Sequence, residues 1–285
     1  MKFKNKQTIA AIQKLKKNAT PFTAITAYDF PTALIINQLD IPMVLVGDSA
    51  SMVVYGYDNT TAITMDELLL ITKAVVRGIQ TALVIGDMPF MSYQPSDEQA
   101  VLNAGRFIKE GKVDAVKLEG GVEYIKRIKA IIRSGVPVMG HIGLQPQSIL
   151  QESGYKIQGK DFKSALKIYN DAIELEKAGV FALVLEGVPQ DLAKIISEKI
   201  RIPTIGIGAG ISCDGQIQVV HDVLGLFKSK VPKHAHKYID SYNMLSKALK
   251  HYNKDVTNKK FPGSEHSIKM NELEFQKLKN YIENN

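Results

Sequence analysis

The chain of 285 residues is 45% apolar and 23% charged with a single cysteine, enough for a full core in one large domain or two small ones and excluding an intrachain disulfide. Its net charge of +7 rests on 36 basic residues, of which only Arg77, Arg106, Arg127, Arg133 and Arg201 are arginines, so the arginine forks and interleaved aromatics of a nucleic-acid surface are missing. The lysines read as solvated surface, no nucleic-acid partner is expected, and the unpaired Cys213 fits a reducing cytoplasm.

Taken in order, residues 7–17 suit a short amphipathic helix through Ile9, Ile12 and Leu15, and no apolar core of a signal peptide stands between Met1 and Asn18. A first strand fits Phe22 to Asp29, followed by a helix over Pro31–Leu39 with proline at its start. A second strand ends in Asp48-Ser49, and a loop from Ala50 to Ile63 follows. Thr64 with Glu67 forms a capping box for a helix that runs to Gly78. The third strand ends at Asp87. Ser96 with Gln99 is a second capping box, opening a helix that ends at Gly111. The fourth strand is Ala115-Val116-Lys117-Leu118-Glu119, its helix ends at Gly135, and Pro137 to Gly143 is the fifth, carrying His141.

A long loop, Leu144 to Lys160, includes Ser153-Gly154-Tyr155. The next helix repeats apolar residues from Phe162 to Ile173 with a 3.6-residue period and stops at Gly179. The sixth strand ends at Glu186, a helix covers Asp191–Lys199, and Pro203 to Gly210 is the seventh strand with a tight glycine turn. An eighth strand is expected over Val219–Leu224, a further helix over Tyr238–Tyr252, and a weak one after Ser267. No apolar run approaches the roughly 20 residues of a membrane span. Eight strands alternating with helices predict a (β/α)8 TIM barrel, a single catalytic domain over 1–266 with an N-terminal helix and extra C-terminal helical segments, and a tail over 267–285.

Four of these strands end in an acid, and in such barrels the strand C-termini hold the site. Lys117 and Glu119 share a face because strand side chains alternate. Asp48, Asp87, Glu119, His141 and Glu186 therefore gather at one mouth. Several carboxylates there cannot all ionise without a cation, and a hard-oxygen ligand set suits Mg²⁺. Such a metal can chelate a 2-oxo acid and stabilise an enolate, with Lys117 against the substrate carboxylate and Glu186 as the base. His141 reads as a site-lining or hydrogen-bonding group. His234 and His236 read as surface histidines away from the strand ends, and Cys213 as an inert turn residue.

Val46-Gly47-Asp48-Ser49, Gly86-Asp87-Met88-Pro89-Phe90-Met91-Ser92-Tyr93, Val116 to Gly121 and Gly140-His141-Ile142-Gly143-Leu144-Gln145-Pro146-Gln147-Ser148 resemble the ketopantoate hydroxymethyltransferase family. So do Gly154 to Gly159, Leu185-Glu186, Ile205 to Gly210 and Asp214-Gly215-Gln216, in order over roughly residues 8–266. The resemblance implies a Mg²⁺-dependent enzyme of pantothenate biosynthesis that transfers a one-carbon unit from 5,10-methylenetetrahydrofolate to 3-methyl-2-oxobutanoate. The products would be 2-dehydropantoate and tetrahydrofolate, the enolate carbon attacking the methylene carbon delivered by the folate. It implies Asp48, Asp87 and Glu119 as metal ligands. Asp48, Ser49, Asp87 and Lys117 would contact the oxo acid, with His141 beside them, and Glu186 would accept the proton. It also implies a homodecamer. Thr60-Thr61-Ala62-Ile63 departs from the Leu-Pro this family often has there, and the tail beyond His266 is additional. A lyase or mutase of the phosphoenolpyruvate/isocitrate-lyase type is the rival reading, and no cysteine occurs before Cys213 to serve its usual loop motif.

Overall fold

The computed structural model describes residues 5–152, 154, 156–228 and 231–285. Ser153 and Tyr155 of the long loop lie outside the described residues. Eight parallel strands close into a barrel in sequence order: β1 Phe22–Thr26, β2 Met43–Val46, β3 Leu83–Asp87, β4 Ala115–Glu119, β5 Val138–Gly143, β6 Ala182–Glu186, β7 Thr204–Ile207 and β8 Gly215–Gln218.

The eighth strand differs from the sequence reading. β8 lies four residues earlier in the chain, pairing Gly215 with Phe22 of β1 and with Ile205 of β7. Val220–Leu224, read as strand, is a short helix closed by Gly225 at φ +60°. The reason is local. Gln216 and Gln218 are half-buried on β8, which leaves Ile217 as its one large apolar side chain, while Val219 to Leu224 carries the stronger apolar run.

Two apolar layers follow from strand alternation. Val44, Val46, Val84, Val116, Leu118, Leu183 and Leu185 face the surrounding helices. Met43, Leu45, Leu83, Ile85, Ala115, Met139, Ala182, Val184, Ile205 and Ile217 fill the barrel interior. The interior floor is closed by the N-terminal helix Ile9–Lys17, whose Ile12 is fully buried in that inner layer. Burying a side chain of this size contributes about 1.5–3 kcal/mol. Lys16 ties the plug in place by donating to the Ser197 carbonyl at 2.8 Å and to Asp214 Oδ2 at 2.9 Å.

Two helix starts carry the N-caps read from the sequence. Thr64 and Glu67 make both bonds of a capping box for helix Met65–Gly78. Ser96 caps the helix from Asp97 by accepting from the Gln99 N–H, but the Gln99 side chain bonds the Met91 carbonyl, so that box is half made. The expected helix over Tyr238–Tyr252 runs over Ser241–Thr257, and the tail helix over Glu272–Glu283; neither has a buried residue. Among the described residues no helix is long and apolar enough to cross a membrane.

Candidate active site

Strand parity delivers most of the site. Along β3 the inward positions are Leu83, Ile85 and then Asp87; along β4 they are Ala115, Lys117 and Glu119; along β5 they are Met139, His141 and Gly143. Each strand is apolar at the floor and polar at its C-terminal end. Register then sets neighbours: Asp87 pairs with Lys117, Glu119 with His141, and Gly143 with Glu186. Gly143 sits at φ +95°, and a Cβ there would lie 2.2 Å from the Glu186 carbonyl oxygen, so only glycine lets β5 run this close to the Glu186 backbone. Asp48 has the parity of the outward residues Val44 and Val46, so β2 has to end first, and the turn at Gly47 brings the carboxylate to the mouth.

These residues line one cavity of about 630 Å³ at the barrel mouth. Asp48, Asp87, Lys117, Glu119 and His141 are all buried at 5% exposure or less. Lys117 Nζ donates to Asp87 Oδ1 at 2.7 Å and lies 3.5 Å from Glu119 Oε1. The Asp48 N–H donates to Asp87 Oδ2 at 3.1 Å. Ser49 lines the cavity, and its hydroxyl shares a 2.7 Å hydrogen bond with Tyr28. His141 Nδ1 is 3.5 Å from Glu119 Oε1, and its Nε2 is 3.4 Å from Glu186 Oε2. The structure thus brings together every site residue read from the sequence.

Charge and burial set the protonation states. Burial drives the Asp48 carboxyl well above the usual range, reinforced by the charges of Asp87 and Glu119. Glu119 is pushed up to about 8, mainly by burial, with Lys117 pulling back. Glu186 is raised to about 7 by burial against the same opposing ammonium. Burial works against charge on Lys117, but Asp87, Glu119 and Asp48 outweigh it and hold its ammonium charged far above neutral pH. Burial and then Lys117 hold His141 well below its ordinary value. The imidazole is therefore neutral at pH 7, and its approaches to Glu119 and Glu186 are polar contacts, not ion pairs.

Two groups were not given a role by sequence reasoning. Gln147, in the short turn after β5, donates from Nε2 to Asp48 Oδ2 at 2.9 Å and to the Met88 carbonyl at 3.0 Å, and its backbone N–H donates to Glu119 Oε2 at 3.0 Å. Tyr93 donates to the Glu119 carbonyl at 2.9 Å and lies 3.0 Å from Gln147 Oε1. Together they fix the two outer carboxylates. The signal available was a buried-type glutamine after Pro146 at a strand exit, which is weak. His234 requires a correction: it is exposed, but it packs over Gly208, where a Cβ would lie 3.0 Å from its own, and it lines the same cavity.

As they stand, no group of three or more His, Cys, Asp or Glu side chains among the described residues is arranged to hold a metal ion. The donor set nevertheless fits a hard divalent cation. Asp48, Asp87 and Glu119 supply carboxylate oxygen only, and Glu119 Oε1 is buried without a hydrogen-bond partner. The upward shifts of Asp48 and Glu119 are what a nearby cation would reverse.

Residues 6–264 match the family model described as ketopantoate hydroxymethyltransferase. A 3-methyl-2-oxobutanoate hydroxymethyltransferase of Dehalococcoides mccartyi (strain CBDB1) is 52% identical over 275 residues, covering 96% of this chain and 99% of that protein. The enzymes of the same name from Acetivibrio thermocellus and Clostridium novyi (strain NT) are each 50% identical; the alignments cover 94% and 96% of this chain, and 95% and 99% of theirs. Among solved structures, a phosphonopyruvate hydrolase in complex with oxalate and Mg++ superposes with a TM-score of 0.62 at 11% identity, covering 97% of this chain and 98% of the other. A 2,3-dimethylmalate lyase of the PEP mutase/isocitrate lyase superfamily gives 0.57 at 13% identity, covering 92% and 89%. At such identities the likeness is one of fold alone. The extent and identity of the sequence matches decide the matter: this chain belongs to the ketopantoate hydroxymethyltransferase family.

Proposed function

We propose that the protein transfers a hydroxymethyl unit from 5,10-methylenetetrahydrofolate to 3-methyl-2-oxobutanoate, giving 2-dehydropantoate and tetrahydrofolate in pantothenate biosynthesis, the route to coenzyme A. The observation that carries this reading is the floor of the cavity. A fixed ammonium, Lys117, stands there with a carboxylate tuned to about 7, Glu186, across a neutral imidazole. An anionic, weakly acidic carbon substrate needs that pair, one to hold its charge and one to take its proton.

Asp48, Asp87 and Glu119 would hold Mg²⁺, which when bound supplies charge neutralisation and polarises the substrate ketone. Lys117, already fixed by Asp87, offers its remaining donors to the substrate carboxylate, and Ser49 and the Asp48 turn line the other side. Glu186 takes the C3 proton. The C3–H electron pair becomes the C2–C3 double bond, and the ketone pair moves onto oxygen. His141 Nε2 lies 3.4 Å from the Glu186 carboxylate, and its ring stands between Glu186 and Glu119.

The carbon transfer is not the direct attack expected from the sequence. Attack of C3 on the folate-bound carbon would leave C3 fully substituted by carbon, with no hydrogen through which the folate nitrogen could be eliminated. Water must instead add to the methylene carbon first and free it as formaldehyde. C3 then adds to that carbonyl, and the new alkoxide takes the proton back from Glu186. The water supplies the product hydroxyl, and the carboxylate is regenerated.

The reading takes 1–266 as the catalytic barrel, in the cytoplasm, and leaves 267–285 without a role. It includes a homodecamer; the exposed Leu245, Leu249 and Tyr252 along helix Ser241–Thr257, which has no buried residue, support an interface between copies. The test is proton NMR of 3-methyl-2-oxobutanoate with the protein in D2O, with Mg²⁺ or with EDTA. Loss of the C3 signal with Mg²⁺ and its persistence with EDTA is expected. Persistence with Mg²⁺ and tetrahydrofolate both present would sink the assignment.

A further inference from the structure

The cavity is larger than its acidic end requires. About 630 Å³ is in the range that takes a drug-sized ligand, roughly 300–1,000 Å³. A short branched oxo acid fills only the inner part around Lys117. The outer part is walled on one side by the β8 exit and the short helix after it, through Gln218, Asp222 and Phe227, and on the other by Val53 and Tyr57.

The β8 side of the outer part has a distinct chemistry. Among the described residues no hydrogen bond or ion pair engages the Asp222 carboxylate, and Gln218 Oε1 is buried without a partner, while the amide N–H of the same side chain donates to the His234 carbonyl at 3.2 Å. That wall therefore offers acceptors, with His234 lining the same cavity beside them. The aromatic rings of Phe227 on this wall and of Tyr57 on the opposite one are each 42% exposed although both line the cavity, and the His221 ring stacks on Phe227 at 5.9 Å. Exposed aromatic faces beside unsatisfied acceptors mark a place for a flat ring whose edge donates hydrogen bonds. Burial pushes Asp222 up while His234 pulls it back, so the carboxylate is poorly solvated and gains from a paired donor.

We propose that this outer pocket is the subsite for the fused 2-aminopyrimidinone ring of the one-carbon donor, with Asp222 accepting the two N–H groups of its amidine edge and Phe227 and Tyr57 covering its faces. The amidine edge presents two parallel donors, the geometry a carboxylate accepts bidentately. The inference rests on the proposed function, because it names where that reaction's second substrate sits.

The test compares wild type with Asp222→Asn, which keeps the shape and replaces one acceptor by a donor. Titration with tetrahydrofolate is expected to give a Kd at least about tenfold weaker for the variant, a typical loss for a charge-assisted pair. The Kd of 3-methyl-2-oxobutanoate and the melting temperature serve as controls for the fold of the pocket, and each is expected to stay near wild type. A tetrahydrofolate analogue in which a methyl group replaces the 2-amino group closes the cycle: it binds wild type about tenfold more weakly than the parent, and the variant with little further loss. Equal tetrahydrofolate affinity in the two proteins, with wild type transferring the one-carbon unit, overturns the subsite alone. A wild type that neither binds tetrahydrofolate nor transfers the unit overturns the proposed function and the subsite with it.

Discussion

Lys117→Met removes the one ammonium from a cluster of buried carboxylates while keeping most of the stem's volume. In the wild type Nζ sits 2.7 Å from Asp87 Oδ1 and 3.5 Å from Glu119 Oε1, and the residue is 3% exposed. Removing one partner of such a pair leaves uncompensated buried charge and costs about 3–5 kcal/mol. Unfolding entropy for 285 residues is about 0.6 kcal/mol per kelvin, so the melting temperature should fall by roughly 5–8 °C at pH 8. The loss should shrink in acid. Glu119 titrates at about 8 in the folded protein against an ordinary 4.5, so its raised value favours the folded state at low pH and that benefit disappears as pH rises through 8. Without Lys117 that value rises further, and at pH 5.5 the carboxyl is neutral and needs no counter-ion. Calorimetry at pH 8 and pH 5.5 reads both effects. A melting temperature within 2 °C of wild type at pH 8, or an equal loss at both pH values, would refute the view that Lys117 offsets buried charge.

Glu186→Gln should slow C3 hydrogen exchange by about 10²–10⁴-fold while 3-methyl-2-oxobutanoate still binds, as NMR line-broadening would show; exchange at the wild-type rate would mean another base. In the wild type kcat/KM should climb about tenfold per pH unit below the Glu186 value of about 7 and level off above it, and a flat profile from pH 5.5 to 8 would count against this base. Gln147→Leu leaves Asp48 Oδ2 and the Met88 carbonyl without a donor, so about 1–3 kcal/mol of stability should be lost and the KM for the oxo acid should rise; an unchanged KM would show the brace has no bearing on the site. Gly86→Ala would place a Cβ 2.4 Å from the fully buried Phe107 ring, an overpacking cost of about 1–3 kcal/mol that denaturant titration would detect.

Much of this was legible because strand alternation is a strict rule. Leu83, Ile85 and Asp87, or Ala115, Lys117 and Glu119, announce an interior that turns polar at one end, and the four acid-ended strands could be placed together once a closed barrel was assumed. β8 was not legible. Its two glutamines give no apolar alternation beyond Ile217, and what defines it is pairing to β7 on one side and β1 on the other, a relation between segments far apart in the chain. Gln147 and His234 escaped for a similar reason. Both reach the site from loops, where no periodicity tells which way a side chain points, and only the closed barrel brings Gln147 to Asp48, 99 residues away.

The charge balance of the mouth constrains what can enter it. Among the described residues the carboxylates of Asp48, Asp87, Glu119 and Glu186 face one buried ammonium, Lys117, so with every group ionised this inner cluster carries an excess of three negative charges. Burial does not tolerate that excess, and the raised values of Asp48, Glu119 and Glu186 show protons filling the deficit. An oxo-acid anion entering alone would deepen it. A divalent cation near Asp48, Asp87 and Glu119 would replace the protons held there and leave room for one further anion beside Lys117. Glu186 stands apart from that exchange, because the neutral ring of His141 lies between it and Glu119, with Nδ1 toward one and Nε2 toward the other. A charged histidine there would lower Glu186 and weaken it as a base. The same burial that keeps His141 neutral therefore lets one carboxylate remain a base while its neighbours become ligands.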